Sequence, residues 1–224
     1  MPPPSNIPKC LKPLTPILYA LPMGGFTGPA AGAGPTSGAL ARYTVEHQEQ
    51  PNWCWAAVTQ AVSAFYAAAA VPSQCEIVAK QLTPLECCGA DKTGPCNTAW
   101  NLDQPLTAAG HYDYRDDSTI AFSDVQTEIT GERPIGVRID WGDGTAHFVT
   151  IIGWSVATGT DWVDVGDPFS GFVQTPYQTL VSGYQGSHGN WANTYITRTG
   201  AGGPAGGAGA PAIPMGPSPY PVAP

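Results

Sequence analysis

The apolar residues of this chain follow a helical rhythm in its first half. From Cys54 to Phe65 they recur every three or four positions, which is the spacing of a helix that buries one face. A run of alanines then favours continuation of the helix, and Pro72 ends it. We therefore predict a first helix over residues 54–70, with Asn52 as its N-cap.

Three shorter helices are predicted after the first one. Ser73 is a suitable N-cap for a helix over 76–82, which Pro84 stops. Two further segments, 97–109 and 123–130, read as helices, and Ser123 is the predicted cap of the second.

The apolar pattern changes to the alternation of strands after residue 133. The predicted strands cover residues 134–140, 146–154, 162–165, 172–175 and 193–197. Glycine-containing turns at 141–144 and 157–160 separate the first three of these strands. Because helices come first and antiparallel strands second, we predict an α+β fold.

His147 begins one predicted strand and Asp167 follows the next. If residues 147–154 and 160–167 form a hairpin that turns near Ala157, the two side chains lie opposite each other, with Cβ atoms about 4.5–5.5 Å apart. A slip of one residue would place them on opposite faces. A carboxylate beside an imidazole orients it as a base, and a catalytic thiol needs such a base.

Cys54 is the candidate thiol, because it lies where the first helix begins. The partial positive charge of a helix N-terminus stabilises a thiolate and lowers the pKa of the thiol. Gln48 precedes Cys54 by six residues, and its amide is a candidate oxyanion donor beside the backbone N–H of Cys54. Trp53 and Trp55 are predicted to pack around the start of the helix and fix it.

The three remaining histidines are expected to be surface residues: His47, His111 and His188.

Four of the six cysteines lie close together, within residues 75–96. Three interpretations compete: two disulfides in a loop-rich segment, a zinc site, or free thiols. The spacing is not that of paired C-x2-C ligands and no histidine lies among them, so we favour disulfides among Cys75, Cys87, Cys88 and Cys96. Cys54 then stands apart as a free nucleophile, and Cys10 is unassigned.

Composition separates a central domain from two tails. Residues 1–40 contain nine prolines, and residues 200–224 are almost wholly Gly, Pro and Ala without charge, so both are predicted to be disordered. The domain, residues 41–199, holds all 17 acidic residues and seven of the nine basic ones, a net charge of −10. This charge argues against nucleic acid as a partner. The first tail is interpreted as a linker, with an inhibitory propeptide as the alternative.

Sequence signals also predict the location of the protein and its oligomeric state. No apolar run approaches the roughly 20 residues of a membrane-spanning helix, and the N-terminus is not a convincing signal peptide. Disulfides imply an oxidising compartment, so a secreted or periplasmic location is expected. We expect a monomer, with no metal and no organic cofactor.

The order of the candidate residues resembles that of the papain-like cysteine peptidases. The matching motifs are Gln48, Cys54-Trp55-Ala56, His147-Phe148-Val149 and Asp167-Pro168, and the resemblance covers about residues 45–175. It is closer to compact bacterial branches: the double-glycine leader peptidases of bacteriocin exporters and plant-pathogen effector proteases. Three features depart from plant papain: Asp167 replaces the usual Asn, only 93 positions separate Cys54 from His147, and no clear Asn-Ser-Trp follows.

The resemblance implies a helical subdomain with the cysteine, a β-sheet subdomain with the histidine and aspartate, and a cleft between them. It makes Cys54 the nucleophile, His147 the general acid and base, Asp167 the residue that orients His147, and Gln48 the oxyanion donor. The implied function is a cysteine endopeptidase that cleaves a protein or peptide substrate through an acyl-enzyme.

Two alternative functions stay open. One is another acyl transfer with the same residues, by a transglutaminase-like enzyme or an amidase of cell-wall peptides. The other is a non-catalytic binding module, against which the presence of all four residues argues.

Overall fold

The structure is a computed structural model that describes residues 36–66, 70–186 and 188–200. The predicted tails fall almost wholly outside these ranges, and their disorder stays a prediction. The first helix ends at Phe65, with Tyr66 as its C-cap, and not at residue 70 as predicted.

Helices lie mainly in the first half of the described chain, and strands in the second, so the α+β prediction is confirmed. The helices are α1 Cys54–Phe65, α2 Gln74–Gln81, α3 Asp103–Ala109, α4 Phe122–Thr130 and α5 Tyr177–Val181. The strands are β1 Ser37–Ala39, β2 Tyr112–Asp116, β3 Ile135–Asp140, β4 Ala146–Ala157, β5 Thr160–Asp167, β6 Gly171–Pro176, β7 Ser182–Tyr184 and β8 Gly189–Thr197.

All the strands belong to one antiparallel sheet. Its main order is β2-β8-β3-β4-β5-β6, with β7 paired to β8. β4 is longer than its neighbour β3, and β1 pairs with the part of β4 that β3 leaves open. Ser37–Ala39 and the buried Leu40 therefore belong to the fold, although they precede the predicted domain start at residue 41.

The helix starts agree only partly with the predictions. Ser73 caps α2 as predicted, in a reciprocal capping box with Glu76. Asn52 is not the cap of α1, because its side-chain amide donates to the Asn97 carbonyl. Ser123 lies inside the first turn of α4, where Asp124 accepts the backbone N–H of Ala121 instead.

The predicted helix over 97–109 is reduced to α3, and the reason lies in contacts with α1. The Trp55 indole N–H donates to the Thr98 carbonyl at 3.1 Å, and the Trp53 indole N–H donates to the Cys96 carbonyl at 2.7 Å. These carbonyls are satisfied by distant side chains and not by a helical ladder. Helix propensity depends on local sequence and does not predict such a contact.

The described core consists of two apolar clusters. One lies between the sheet and the helices α4 and α5, and the other surrounds the first half of α1, α2 and the opposite side of the sheet at Phe148 and Tyr195. Tyr43 and Tyr66 pack against both clusters. The helical part and the sheet part are therefore joined by shared apolar contacts.

Two disulfides close the loop after α2, as predicted. Cys75 pairs with Cys88, and Cys87 pairs with Cys96. Cys87 and Cys96 are fully buried in the helical cluster. Because Cys96 also receives the Trp53 indole bond, the second disulfide holds the loop against the start of α1.

β4 and β5 form the predicted hairpin, but with another register. The turn is Thr158-Gly159, whose φ angles of 50° and 76° are both positive, as a type I′ turn requires. The pairing runs from Ala157↔Thr160 to Gly153↔Asp164, and then from Ile151↔Val165 to Thr150↔Gly166. Ile152 is thus an extra residue on β4, a β-bulge.

The bulge decides which face of the sheet Asp167 occupies. One further pair in the same register places Asp167 against Val149, whose side chain shares a face with that of His147. Without the bulge Asp167 would lie against Thr150 and point to the other face. The predicted direct opposition of His147 and Asp167 is wrong, and they are diagonal neighbours on one face.

The turn of this hairpin provides a test of the register. Gly159→Ala should lower the free energy of unfolding by about 1 kcal/mol, because a side chain resists a left-handed backbone. Nothing lies within 4 Å of the added Cβ, so the loss reports backbone strain alone. Thr158→Asn is the control: asparagine tolerates positive φ better than threonine does, and stability should stay equal or rise. Urea denaturation of both variants measures the difference, and an unchanged Gly159→Ala would contradict the turn.

Candidate active site

His147 and Asp167 meet at one end of the β4–β5 hairpin. His147 is the second residue of β4 and Asp167 the last of β5. The His147 Nε2 lies 2.8 Å from the Asp167 Oδ1, and both side chains are buried. The pair that the sequence singled out is therefore in direct contact, through the bulged register described above.

Asp167 accepts hydrogen bonds on both of its carboxylate oxygens. Besides His147, Oδ1 receives the backbone N–H groups of Phe169 at 2.8 Å and Ser170 at 3.2 Å. Oδ2 receives the Tyr184 hydroxyl and the Gln185 amide, each at 2.9 Å. These bonds satisfy a carboxylate that has no contact with solvent.

The donors keep Asp167 ionised. Burial by itself raises the pKa of Asp167, but the charge of His147, its hydrogen bond and the two backbone N–H groups together bring that pKa below its ordinary value. Burial and the neighbouring Asp167 charge raise the pKa of Tyr184 well above its ordinary value, so Tyr184 stays a donor.

An ionised Asp167 determines how the proton on His147 is placed. The carboxylate only accepts, so Nε2 of His147 carries a proton and donates it. The other ring nitrogen, Nδ1, is buried and makes no hydrogen bond within the described residues. His147 is therefore oriented by Asp167 with Nδ1 available to take a proton from a second group.

Cys54 is the first residue of α1 and is fully buried. α1 packs against β4, the strand that carries His147. Trp53 and Trp55 are also fully buried, and their indole bonds to the loop at residues 96–98 confirm that they fix the helix start.

Cys54 is not the free thiol that the cysteine pattern led us to expect, because it is disulfide-bonded in the structure. The other four described cysteines pair with one another, and Cys10 lies outside the described residues. The even total of six cysteines was a signal that Cys54 also pairs.

Gln48 is placed by bonds from both parts of the fold. Its backbone N–H donates to the Pro168 carbonyl at 3.0 Å, beside Asp167. From the helical part, the Gln74 amide donates to the His47 carbonyl at 2.7 Å and accepts the Glu49 N–H at 2.9 Å. The backbone of Gln48 is thus held between α2 and the β5–β6 loop.

The side chain of Gln48 is used within the turn before α1. Its Nε2 donates to the carbonyls of Gln50 at 3.1 Å and Pro51 at 2.9 Å, while its Oε1 is buried and accepts no hydrogen bond from the described residues. To donate to a substrate oxyanion, the Gln48 amide would therefore have to break its hydrogen bond to one of these two carbonyls. The role of Gln48 as oxyanion donor stays a prediction.

Sequence reasoning missed three residues that support the site. Tyr184 ends the strand β7 and Gln185 follows it, and β7 is too short to give an alternation signal. Gln74 is the first residue of α2 and looks like an ordinary polar helix start. Nothing in their local patterns indicates what they contact, because each reaches the site only through the tertiary fold.

The other three histidines differ in their exposure. His47 and His188 are exposed, as predicted. His111 is buried instead, stacked on Tyr66 with ring centroids 5.0 Å apart. Its Nδ1 lies 3.2 Å from the Arg198 carbonyl, and burial lowers its pKa. The prediction of a surface residue is wrong because Tyr66 and the segment from Arg198 to Gly200 cover it.

The described ranges contain no cluster of His, Cys, Asp or Glu suited to a metal ion, and no helix there has the length and apolar character needed to cross a membrane. A depression of about 350 Å³ is lined by residues 70–72 and by parts of α2 and α3. It includes none of the four predicted site residues, so it is separate from the His147–Asp167 pair.

No protein-family model and no curated protein matches this sequence. Solved structures do resemble the fold. One is digestive procathepsin L 3 of the Tenebrio molitor larval midgut, at 13% identity and a TM-score of 0.49, covering 75% of this chain and 71% of that one. Another comes from work on antibody cross-reactivity between the mite allergens Blo t 1 and Der p 1, at 14% identity and a TM-score of 0.46, covering 75% and 72%. These likenesses assign no role to any residue of this chain.

The ionised state of Asp167 predicts a pH dependence of stability. Because its pKa is lowered in the fold, Asp167 stabilises the protein above the ordinary pKa of about 4, and this contribution is lost as the pH falls through the folded-state value. Asp167→Asn should therefore be less stable at pH 7 and lose less stability between pH 5 and pH 3. Denaturant titrations at a series of pH values measure both effects.

Asp164 on the same strand is the matched control. Burial raises its pKa, so its protonation stabilises the fold as the pH falls. Asp164→Asn should steepen the acid loss, opposite in sign to Asp167→Asn. The same acid slope for Asp167→Asn and wild type would contradict an ionised, hydrogen-bonded Asp167.

Proposed function

We propose that this protein is a cysteine peptidase that hydrolyses peptide bonds through Cys54, His147 and Asp167. The observation that carries the proposal is the orientation of His147. Its Nε2 is held by a buried carboxylate, and its buried Nδ1 has no partner within the described residues. His147 lies on β4, and β4 packs against α1, the helix that begins with Cys54. An oriented base and a cysteine at a helix N-terminus are the groups that thiol catalysis needs.

The proposed reaction begins with proton transfer. The Cys54 thiol gives its proton to Nδ1 of His147, helped by the positive end of α1. The sulfur then attacks the carbonyl carbon of the scissile peptide bond. Asp167 stabilises the imidazolium through the Nε2–H bond and prevents the ring from turning.

The tetrahedral intermediate carries its negative charge on the former carbonyl oxygen. The backbone N–H of Cys54 and the amide of Gln48 are the proposed donors, with Gln48 giving up its bond to the Pro51 carbonyl. Collapse breaks the C–N bond, and the amine leaves with the proton from Nδ1. Water, deprotonated by His147, then cleaves the thioester and restores the Cys54 thiol.

The structure describes Cys54 in a disulfide, and this state cannot attack a substrate. A thiol reductant has to open that bond before the reaction starts. The two disulfides of the loop are compatible with the proposed extracellular or periplasmic location. The proposed substrate is a protein or peptide, and the compact bacterial peptidases remain the proposed relatives.

The proposal predicts reductant-dependent peptide cleavage. After mild reduction, the full chain should hydrolyse members of a peptide library, and Cys54→Ala should lower the rate at least about a thousandfold because the nucleophile is lost. Mass spectrometry of the products identifies the cleaved bonds. Cys75→Ser with Cys88→Ser is the control: it removes a different disulfide and should retain cleavage, still dependent on reductant.

Alkylation distinguishes the proposal from its alternatives. Iodoacetamide should label Cys54 of the reduced protein selectively and with a pH dependence that His147→Ala removes. Amine incorporation without cleavage would replace the peptidase with a transferase. Neither cleavage nor selective labelling of Cys54 would leave the binding module as the function.

A further inference from the structure

Beyond the three proposed catalytic residues, we propose that Tyr184 and Gln185 are positioning residues that hold the Asp167 carboxylate in the orientation that aligns His147. The inference rests on the proposed function for its effect on rate. The contacts from which it is argued are independent of that function.

The two oxygens of Asp167 serve different parts of the site. Oδ1 faces His147 and the backbone of the β5–β6 loop, while Oδ2 is bonded by Tyr184 and Gln185. Rotation about the χ2 angle moves both oxygens together, so donors on either oxygen resist it. The two donors on Oδ2 therefore add to the three on Oδ1 in fixing the direction of the His147 bond.

Tyr184 is itself held firmly. It is fully buried, and its ring stacks on Trp141 at a centroid distance of 6.5 Å and an interplanar angle of 25°. Trp141 lies so close to Gly189, the partner of Tyr184 in the β7–β8 pair, that a Cβ there would meet the indole at 2.4 Å. The hydroxyl of Tyr184 therefore reaches Asp167 from a rigid support.

Gln185 adopts a conformation that its residue type disfavours. Its φ is 56°, in the left-handed region that residues with a side chain disfavour. Its amide donates both to Asp167 at 2.9 Å and to the Ser170 hydroxyl at 3.0 Å. A strained backbone conformation persists only where surrounding contacts hold it in place. At Gln185 those contacts include the hydrogen bond to Asp167.

Three titratable side chains lie around Asp167 or its strand partner. His147 on β4 and Tyr184 on β7 contact it directly. His47 lies beside Gly171, the partner of Asp167 in the β5–β6 pair. Tyr184 stays protonated in the acid range, so removing its hydroxyl changes the donors to Asp167 without removing a titrating group there.

Removing a donor makes the ionised carboxylate less favourable. The Asp167 pKa in the folded protein should then rise, and the acid loss of stability and of activity should begin at higher pH. For one hydrogen bond to a charged group the shift is about one pH unit. A loosely held carboxylate should also lower kcat with little change in KM, because substrate contacts are unaffected.

The test compares three variants of the full chain. Tyr184→Phe and Gln185→Gly each remove donors to Oδ2, and glycine takes the positive φ of residue 185 without strain. Tyr177→Phe is the control, because the hydroxyl of this buried tyrosine donates to the Ile120 carbonyl at 2.6 Å, away from Asp167. Denaturant unfolding at pH 3–7 and reductant-activated peptide cleavage are measured on all of them.

We expect the acid midpoint of stability to rise by about one pH unit in Tyr184→Phe and in Gln185→Gly, and to stay in place in Tyr177→Phe. In the cleavage assay kcat should fall about tenfold in the first two. If all three variants lose stability without a change of acid midpoint, Tyr184 and Gln185 are merely structural and the inference is overturned. If wild type cleaves no peptide, the proposed function fails, yet the stability profiles still decide whether these residues hold Asp167.

Discussion

The candidate site depends on the burial of one carboxylate. Asp167 is removed from solvent, and an unpaired charge in that position would cost several kcal/mol. Its charge is compatible with folding only because five groups donate to it: His147, two backbone N–H groups, Tyr184 and Gln185. The same requirement orients His147. The same hydrogen bonds thus stabilise the buried charge and align His147.

The sheet brings these donors together from separate parts of the sequence. The bulge at Ile152 turns Asp167 to the face of His147, and the carbonyl of Ile152 accepts the Leu40 N–H at 2.8 Å. The irregularity is therefore covered by the segment that follows β1. From there the chain runs past Tyr43 to Gln48 and α1, so the bulge is linked to both halves of the site.

The proposed chemistry is divided between a rigid sheet and the start of a buried helix. α1 presents Cys54 with two tryptophans bonded to a disulfide-closed loop, while the sheet presents His147 and Asp167. Cys54 is itself disulfide-bonded in the structure, a state that suits a compartment in which disulfides form.

The periodicity of the sequence by itself determined the α+β class, the start of α1 at Cys54, the capping of α2 by Ser73 and the existence of a hairpin carrying His147 and Asp167. These features depend on local spacing and on turn residues, which a single sequence displays. Tertiary structure alone decided the register, because the bulge at Ile152 depends on which strands and loops cover β4. It also decided the donors from Tyr184 and Gln185, the burial of His111 and the loss of half a helix before α3. Each of these depends on contacts between residues far apart in the chain, and local spacing in the sequence does not reveal such contacts.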